Sequence, residues 1–246
     1  MKVKVVENRQ LSEKDFLLSV SLPEKEIKAI KPGQFAMVQV RKENQLDPLL
    51  RRPLGIFDVE SDIVSFIYRI VGRGTKFLSE IKDEVDVILP LGNYIEENVE
   101  KYLFIAGGIG IGGIFLAAKR FHQKGKKVTV IYGGRKENDL SALPFLEQYQ
   151  IPYIAMTEDG SKGKKGLVTD ILEKFKDHRW IACGPTGMLK AVKGKADKLK
   201  ADCFLSLDTR MACGVGSCLG CVIRTKEGYK RVCVDGPIFK ADFVEL

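Results

Sequence analysis

Histidine is almost missing from these 246 residues. His122 and His178 are the only two, and neither stands beside a plausible nucleophile motif. Triad and acid–base chemistry therefore has little to work with, and an enzyme built from this chain has to let cofactors carry its reaction. The opening "MKVKVVENRQ" lacks the apolar core of a signal peptide. No window approaches the roughly 18 uninterrupted apolar residues of a membrane span. The expectation is a soluble cytoplasmic protein, where thiols stay reduced and clustered cysteines bind metal or do redox work rather than form disulfides. The net charge of +8 is concentrated in "SKGKKG" and "LKAVKGKADKLK", runs without interleaved aromatics. Such runs read as solvated faces and do not form a nucleic-acid module; anionic cofactors and an acidic partner are better uses of them.

What is present divides the chain into three. With 45% apolar and 29% charged residues it is globular, and it is long enough for two domains. Residues 1–98 alternate short β-rich runs with turns ("DFLLSVSLP", "GQFAMVQV", "LGIFDVE", "IVSFIYRIV", "VDVILPLG"), which predicts an antiparallel β-barrel. Residues 99–202 change to strand, glycine loop, helix, strand, which predicts a doubly wound α/β domain. Helices are expected at 139–149, 168–176 and from "PTGM" onward. The segment 203–246 holds four of the six cysteines and too few apolar residues for a core of its own, so something besides packing must order it. The fold class expected is mixed β and α/β.

"GGIGIGG" sets Gly107, Gly108, Gly110 and Gly113 between an apolar strand and an apolar helix. There the backbone can turn tightly toward a pyrophosphate. The acid of a Rossmann fingerprint is lacking at the end of the next strand, where Gly133, Gly134 and Arg135 stand instead, and Arg135 leaves a 2′-phosphate possible. "ACGPTGM" brings Cys183, Gly184 and Pro185 to another strand end, either beside a nicotinamide or as buried small residues. In the barrel, "LRRPLG" and "IYRIVGRGT" offer arginine forks and a glycine–threonine turn to a pyrophosphate, and Tyr68 is placed to cover a planar ring.

This order of motifs resembles the ferredoxin–NADP reductase superfamily. With "MACGVGSCLGC…VCVDGP" added, the chain resembles the electron-transfer subunits of class 1B, NAD-dependent dihydroorotate dehydrogenases over essentially its whole length. The resemblance implies FAD contacts at Arg52, Pro53, Leu54 and Gly55, at Ile67, Tyr68 and Arg69, and at Gly74 and Thr75. NAD would bind the α/β domain. Two departures stand out: Gly55 replaces the usual serine, and Gly112–Gly113 replaces alanine–proline.

Cys213, Cys218, Cys221 and Cys233 follow C-x4-C-x2-C with a fourth cysteine eleven residues later, the spacing of plant-type [2Fe–2S] proteins. Zinc, the alternative, usually takes two short pairs from separate turns. Cys203 lies outside the pattern and reads as structural. The function expected from the resemblance is passage of electrons from dihydroorotate, oxidised on an FMN-bearing catalytic subunit, through the cluster and FAD to NAD⁺ in pyrimidine biosynthesis. The implied assembly is a heterotetramer of two plus two. The rivals are the small flavin subunit of a ferredoxin-dependent transhydrogenase or sulfide dehydrogenase, a stand-alone reductase, and a zinc-bound scaffold. The first of these resembles families with aspartate where Cys213 stands.

Overall fold

The computed structural model describes residues 1–41 and 47–246. The N-terminal strands are β1 (Lys2–Gln10), β2 (Asp15–Ser21), β3 (Phe35–Val38), β4 (Arg52–Gly55), β5 (Asp58–Glu60), β6 (Ile63–Arg69) and β7 (Glu84–Leu91), with short helices α1 (Glu24–Ala29) and α2 (Arg73–Leu78) between them. They form one antiparallel sheet in the order β4-β3-β7-β1-β2-β6-β5. Its two edges, β4 and β5, are consecutive in the chain. Ile56 N–H donates to Gln34 O beside β3 at 3.0 Å, and the next residue, Phe57, donates to Ser65 O on β6 at 2.9 Å. The chain thus steps from one edge to the other within two residues, and the sheet closes into a barrel with its edges covered. Alternation drives this: in β1, Val3 and Val5 are buried while Lys2 and Lys4 face water.

The second sheet contains β8 (Lys101–Gly107), β9 (Lys127–Gly134), β10 (Tyr153–Thr157), β11 (Lys164–Lys165), β12 (Arg179–Cys183) and β13 (Cys203–Ser206). Its order is β11-β10-β9-β8-β12-β13, closed by one further strand at the far edge. The pairs from β11 to β13 are parallel, as short apolar strands between crossovers require. Helices α3 (Phe115–Gln123), α4 (Leu143–Gln148) and α5 (Thr186–Leu199) supply crossovers. Two expected helices differ. The 139–149 helix begins at Leu143 with a proline in its first turn, and 168–175 winds as a 3-10 run.

The C-terminal tail is not a separate body. After the hairpin of β14 (Val222–Thr225) and β15 (Gly228–Arg231) and the single turn α6 (Val232–Asp235), β16 (Ile238–Lys240) pairs antiparallel with β13. The α/β sheet therefore runs past residue 202, and only about residues 207–237 and 241–246 of the tail stand outside it. Leu205, Met211, Val232 and Phe239 share one core with Trp180 and Leu189, which is how a segment poor in apolar residues is packed. Asn93, just after β7, donates its amide to Asp235 O and Ile238 O and accepts from Ile238 N–H, tying the barrel to the tail.

Barrel and α/β domain are joined over a charged and an aromatic contact. Lys119 of α3 is 4% exposed. It donates to both Asp58 oxygens at 2.8 Å and stands 3.9 Å over the Tyr149 ring. The rings of Phe57 and Phe115 stack 4.2 Å apart. Burying each of these phenyl groups contributes about 1.5–3 kcal/mol.

Candidate functional site

In the α/β sheet the chain order reverses direction between β8 and β12, with β9 on one side of β8 and β13 beyond β12. Ligands of open α/β sheets bind at this switch point, outside the strand C-termini. Both sequence motifs fall there, because Cys183 pairs in register with Ala106. The loop after β8 winds as a 3-10 turn over Gly108–Gly113, and α3 starts only at Phe115. It presses so closely on β12 that a Cβ on Gly110 would stand 2.4 Å from Cys183 O.

The barrel wall, this loop and the start of the tail enclose a cavity of about 790 Å³. Arg52, Pro53, Leu54, Gly55, Ile67, Tyr68, Arg69, Thr75, Gly107, Gly108, Gly110, Cys183, Gly184 and Pro185 all line it, so fourteen of the fifteen predicted cofactor contacts are brought together. The fifteenth, Gly74, lies against Arg52, whose Nη2 would be 3.1 Å from a Cβ there.

Three of these residues already have partners within the protein. The Arg69 fork is occupied by the buried Asp15 carboxylate, with Nε to Oδ1 at 2.6 Å and Nη2 to Oδ2 at 2.9 Å, and Nη1 reaches Asp139 at 3.0 Å. Donating to Asp15 holds Arg69 yet more firmly protonated than usual, so it braces the two domains with its fork engaged by carboxylates. Tyr68 is 2% exposed, donates its hydroxyl to Asn8 at 2.9 Å and has Phe16 stacked on its ring, centroids 5.7 Å apart. Thr75 donates to Gly72 O and accepts from Val71 N–H, so its hydroxyl shapes the turn, and what the turn offers an anion is its backbone N–H groups. Arg52 donates Nη1 to Leu50 O at 2.7 Å and lines the cavity.

The two departures at Gly55 and Gly112–Gly113 are one structural feature. A Cβ on Gly55 would lie 2.9 Å from both Gly112 O and Gly113 Cα, so the missing serine is the condition for barrel and loop to touch. Gly55→Ser is therefore expected to cost about 1–3 kcal/mol, the usual range for overpacking, and to lower the bound flavin as the cavity is wedged open. Urea unfolding and flavin content check both effects.

The sequence reading passed over "SLDTRM", although it directly precedes the first clustered cysteine. Ser206, Asp208, Thr209, Arg210 and Met211 form the far wall of the cavity. Among the described residues, Thr209 Oγ1 is the buried side-chain polar atom left without a partner. An unpaired buried hydroxyl costs about 1–3 kcal/mol, so its place on a cavity wall fits a bound group that completes it. Thr209→Val is expected to stabilise the cofactor-stripped protein slightly and to weaken flavin retention about tenfold, near 1.4 kcal/mol. Flavin titration of the stripped protein would show it; unchanged affinity would remove the hydroxyl from the site. Burial pushes the Cys183 thiol up to about 12, with the Asp208 charge adding to the shift and a hydrogen bond to Ser206 opposing it, so Cys183 is a neutral thiol.

A second cavity of about 890 Å³ adjoins the first at Gly107, Gly108 and Pro185 and extends over the ends of β9 and β10. Arg135 and Glu158 both line it. Asp139 turns its carboxylate back to accept from the Arg135 and Lys136 backbone N–H groups. The glycine loop faces mainly the barrel-side cavity, since Gly110 lines that one alone.

The clustered cysteines come together in two pairs. Cys213 lies beside Cys218, and Cys221 beside Cys233. Val215 N–H, Gly220 N–H and Cys233 N–H point at Cys213, Cys218 and Cys221 sulfurs at 3.4, 3.4 and 3.5 Å. Amide donors, that of Val215 first, hold Cys213 down to about 6. Among the described residues no three His, Cys, Asp or Glu side chains converge on one ion. Four sulfurs drawn two by two, with N–H groups aimed at them, suit a two-iron cluster better than a single tetrahedral ion. Cys221 and Cys233 are buried and Cys218 is exposed. Cys203 is buried in β13, away from the loop.

Comparison with known proteins bears on these features directly. Residues 208–245 match the iron–sulfur cluster binding domain of dihydroorotate dehydrogenase B, and residues 104–194 match the oxidoreductase NAD-binding domain. A dihydroorotate dehydrogenase B (NAD(+)) electron transfer subunit homolog of Aquifex aeolicus is 40% identical over all of this chain and 98% of that protein. The chain belongs to the dihydroorotate dehydrogenase B electron transfer subunit family. Another family member, the electron transfer subunit of Bacillus velezensis, is 39% identical over 87% of both chains. Among solved structures, a chain of the NADH-dependent reduced ferredoxin-NADP oxidoreductase superposes with TM-score 0.87 and 29% identity, over 99% of this chain and 89% of that one. The ferredoxin NADP⁺ reductase of Neisseria gonorrhoeae shares the fold, at TM-score 0.66 and 12% identity over 81% of this chain and 91% of that one. The family is one of oxidoreductase subunits, and among the described residues no helix is long and apolar enough to cross a membrane.

Proposed function

We propose that this chain converts between single electrons and a hydride: electrons from dihydroorotate, oxidised on an FMN-bearing catalytic subunit, enter at a [2Fe–2S] cluster, pass to FAD and reduce NAD⁺. The observation that carries the reading is contiguity. The barrel-side cavity opens at Gly107–Gly108 onto the nucleotide cavity, and its opposite wall, Ser206–Met211, runs straight into the first cluster ligand, Cys213. FAD in that cavity would exchange an electron pair with a nicotinamide on one side and single electrons with a cluster on the other.

The chain's own residues have assigned tasks. Arg52 and the backbone amides of the Gly74–Thr75 turn take the pyrophosphate. Gly55 and Gly110 let the walls close on the ring site. Cys183, as a neutral thiol, lines the barrel-side cavity without adding charge. Cys213, Cys218, Cys221 and Cys233 hold the cluster, and Gly214, whose Cβ would stand 2.4 Å from Met37 Cγ, seats the cluster loop against β3.

Directly after Cys218 in the chain, Leu219, Val222 and Tyr229, from 42% to 75% exposed, line a shallow groove with Lys230, Arg231 and Asp235. This apolar patch with a mixed charged margin suits docking of the catalytic subunit, in a two-plus-two assembly. Mixing the purified chain with that subunit should give dihydroorotate-dependent NAD⁺ reduction. An intact complex without it would favour the related transhydrogenase or stand-alone reductase readings.

A further inference from the structure

Converting single electrons to a hydride requires a proton source, and the cavity has one uncommitted acid. Two electrons arriving singly reduce the flavin ring; one proton must join them at the ring before the pair leaves with it as hydride to NAD⁺, and the ring is then oxidised again. In reverse, hydride from NADH reduces the ring, two electrons leave one at a time, and one proton is released. We infer that Asp208 gives and takes this proton, shuttling it between water and the flavin ring. The inference rests on the functional reading above.

Placement carries the assignment. Asp208 lies on the wall of the barrel-side cavity, two residues past β13 and five before Cys213, on the side where electrons move singly. The residue as a whole is exposed while its carboxyl is partly enclosed by the cavity walls, so it borders both water and the cavity. Beside it are the unpartnered Thr209 hydroxyl, which fits a ring contact, and Cys183, which the Asp208 charge reaches.

The other charged and titratable groups facing the cavity are committed. Arg69 is held by Asp15 and Asp139, and Tyr68 donates to Asn8. Arg52 is anchored on Leu50 O, and Cys183 is held protonated by burial with Ser206 as its partner. Arg210 and Arg52 are guanidinium groups, which carry donors and no acceptor. His122 and His178 do not line the cavity. Enclosure by the cavity walls raises the Asp208 carboxyl above the usual carboxylate range, which brings proton transfer closer to neutral pH.

The test is rapid anaerobic mixing of the holoprotein with NADH. With NADH limiting and cytochrome c in excess as a one-electron acceptor, a first phase bleaches the flavin as hydride arrives, and a second restores its colour as the two electrons leave singly by way of the cluster with loss of the proton. Asp208→Asn is expected to slow the second phase selectively, by about 10²-fold, and to abolish its pH dependence. Asp208→Glu should restore both, and flavin and iron content should match the parent. An Asp208→Asn protein with full flavin and an unchanged, still pH-dependent second phase would overturn the assignment. So would a parent second phase that is independent of pH and unslowed in deuterium oxide, a readout that needs no variant. A parent whose flavin is not bleached by NADH would overturn the functional reading itself, and this role with it.

Discussion

An Arg69→Ala protein, stripped of cofactors, is expected to unfold about 6–20 °C below the parent. The substitution leaves the Asp15 carboxylate, 0% exposed, with Ser141 Oγ at 2.8 Å as its remaining side-chain donor. Removing one partner of a buried ion pair costs about 3–5 kcal/mol, and each kcal/mol shifts the midpoint of a chain this long by about 2–4 °C. The reason is the uncompensated charge rather than the worth of the pair. Arg69→Ala with Asp15→Asn should therefore recover part of the loss in a double-mutant cycle. Arg69→Lys should recover less than charge alone suggests, because one ammonium cannot replace the fork shared by Asp15 and Asp139. Were Arg69 chiefly a pyrophosphate ligand, the stripped protein would melt normally and only flavin retention would fall. Calorimetry on stripped protein separates the two.

Cys218→Ser is expected to remove the cluster and with it all dihydroorotate-dependent NAD⁺ reduction. The barrel-side cavity proposed for the flavin contains no part of Cys218, so the variant should keep FAD and still bleach with NADH. The tail should loosen as well, since metal–thiolate bonds help order a segment with little core of its own. Hydrogen exchange ought to rise in residues 211–235 and stay low in β13 and β16, whose pairing to the main sheet is independent of the metal. Unchanged turnover with dihydroorotate would contradict a route through the cluster.

Much of this was legible in the chain because it depends on local pattern. The barrel strands follow from alternation, the α/β crossovers from glycine punctuation, and the cysteine spacing from a loop that closes on itself. What could not be read depends on residues far apart in sequence. Arg69 looked like an anion fork because Asp15 lies 54 residues before it and Asp139 is 70 residues after it. Nothing local marks either as its partner. Gly55 and Gly112–Gly113 looked like two unrelated losses, one of a hydroxyl and one of a rigid turn. They are a single approach of barrel to loop at 2.9 Å. The tail looked like an appendage because its pairing strands, β13 and β16, flank the cysteines and are only three or four residues long. That framing also hid Asp208 and Thr209, which belong to the cavity wall.

The central claim is that one flavin and one two-iron cluster share this chain. An anaerobic absorption spectrum with iron, acid-labile sulfide and flavin analysis tests it most directly. The account predicts one FAD and two irons per chain, with NADH bleaching both chromophores. A colourless protein that carries zinc and no flavin would contradict it.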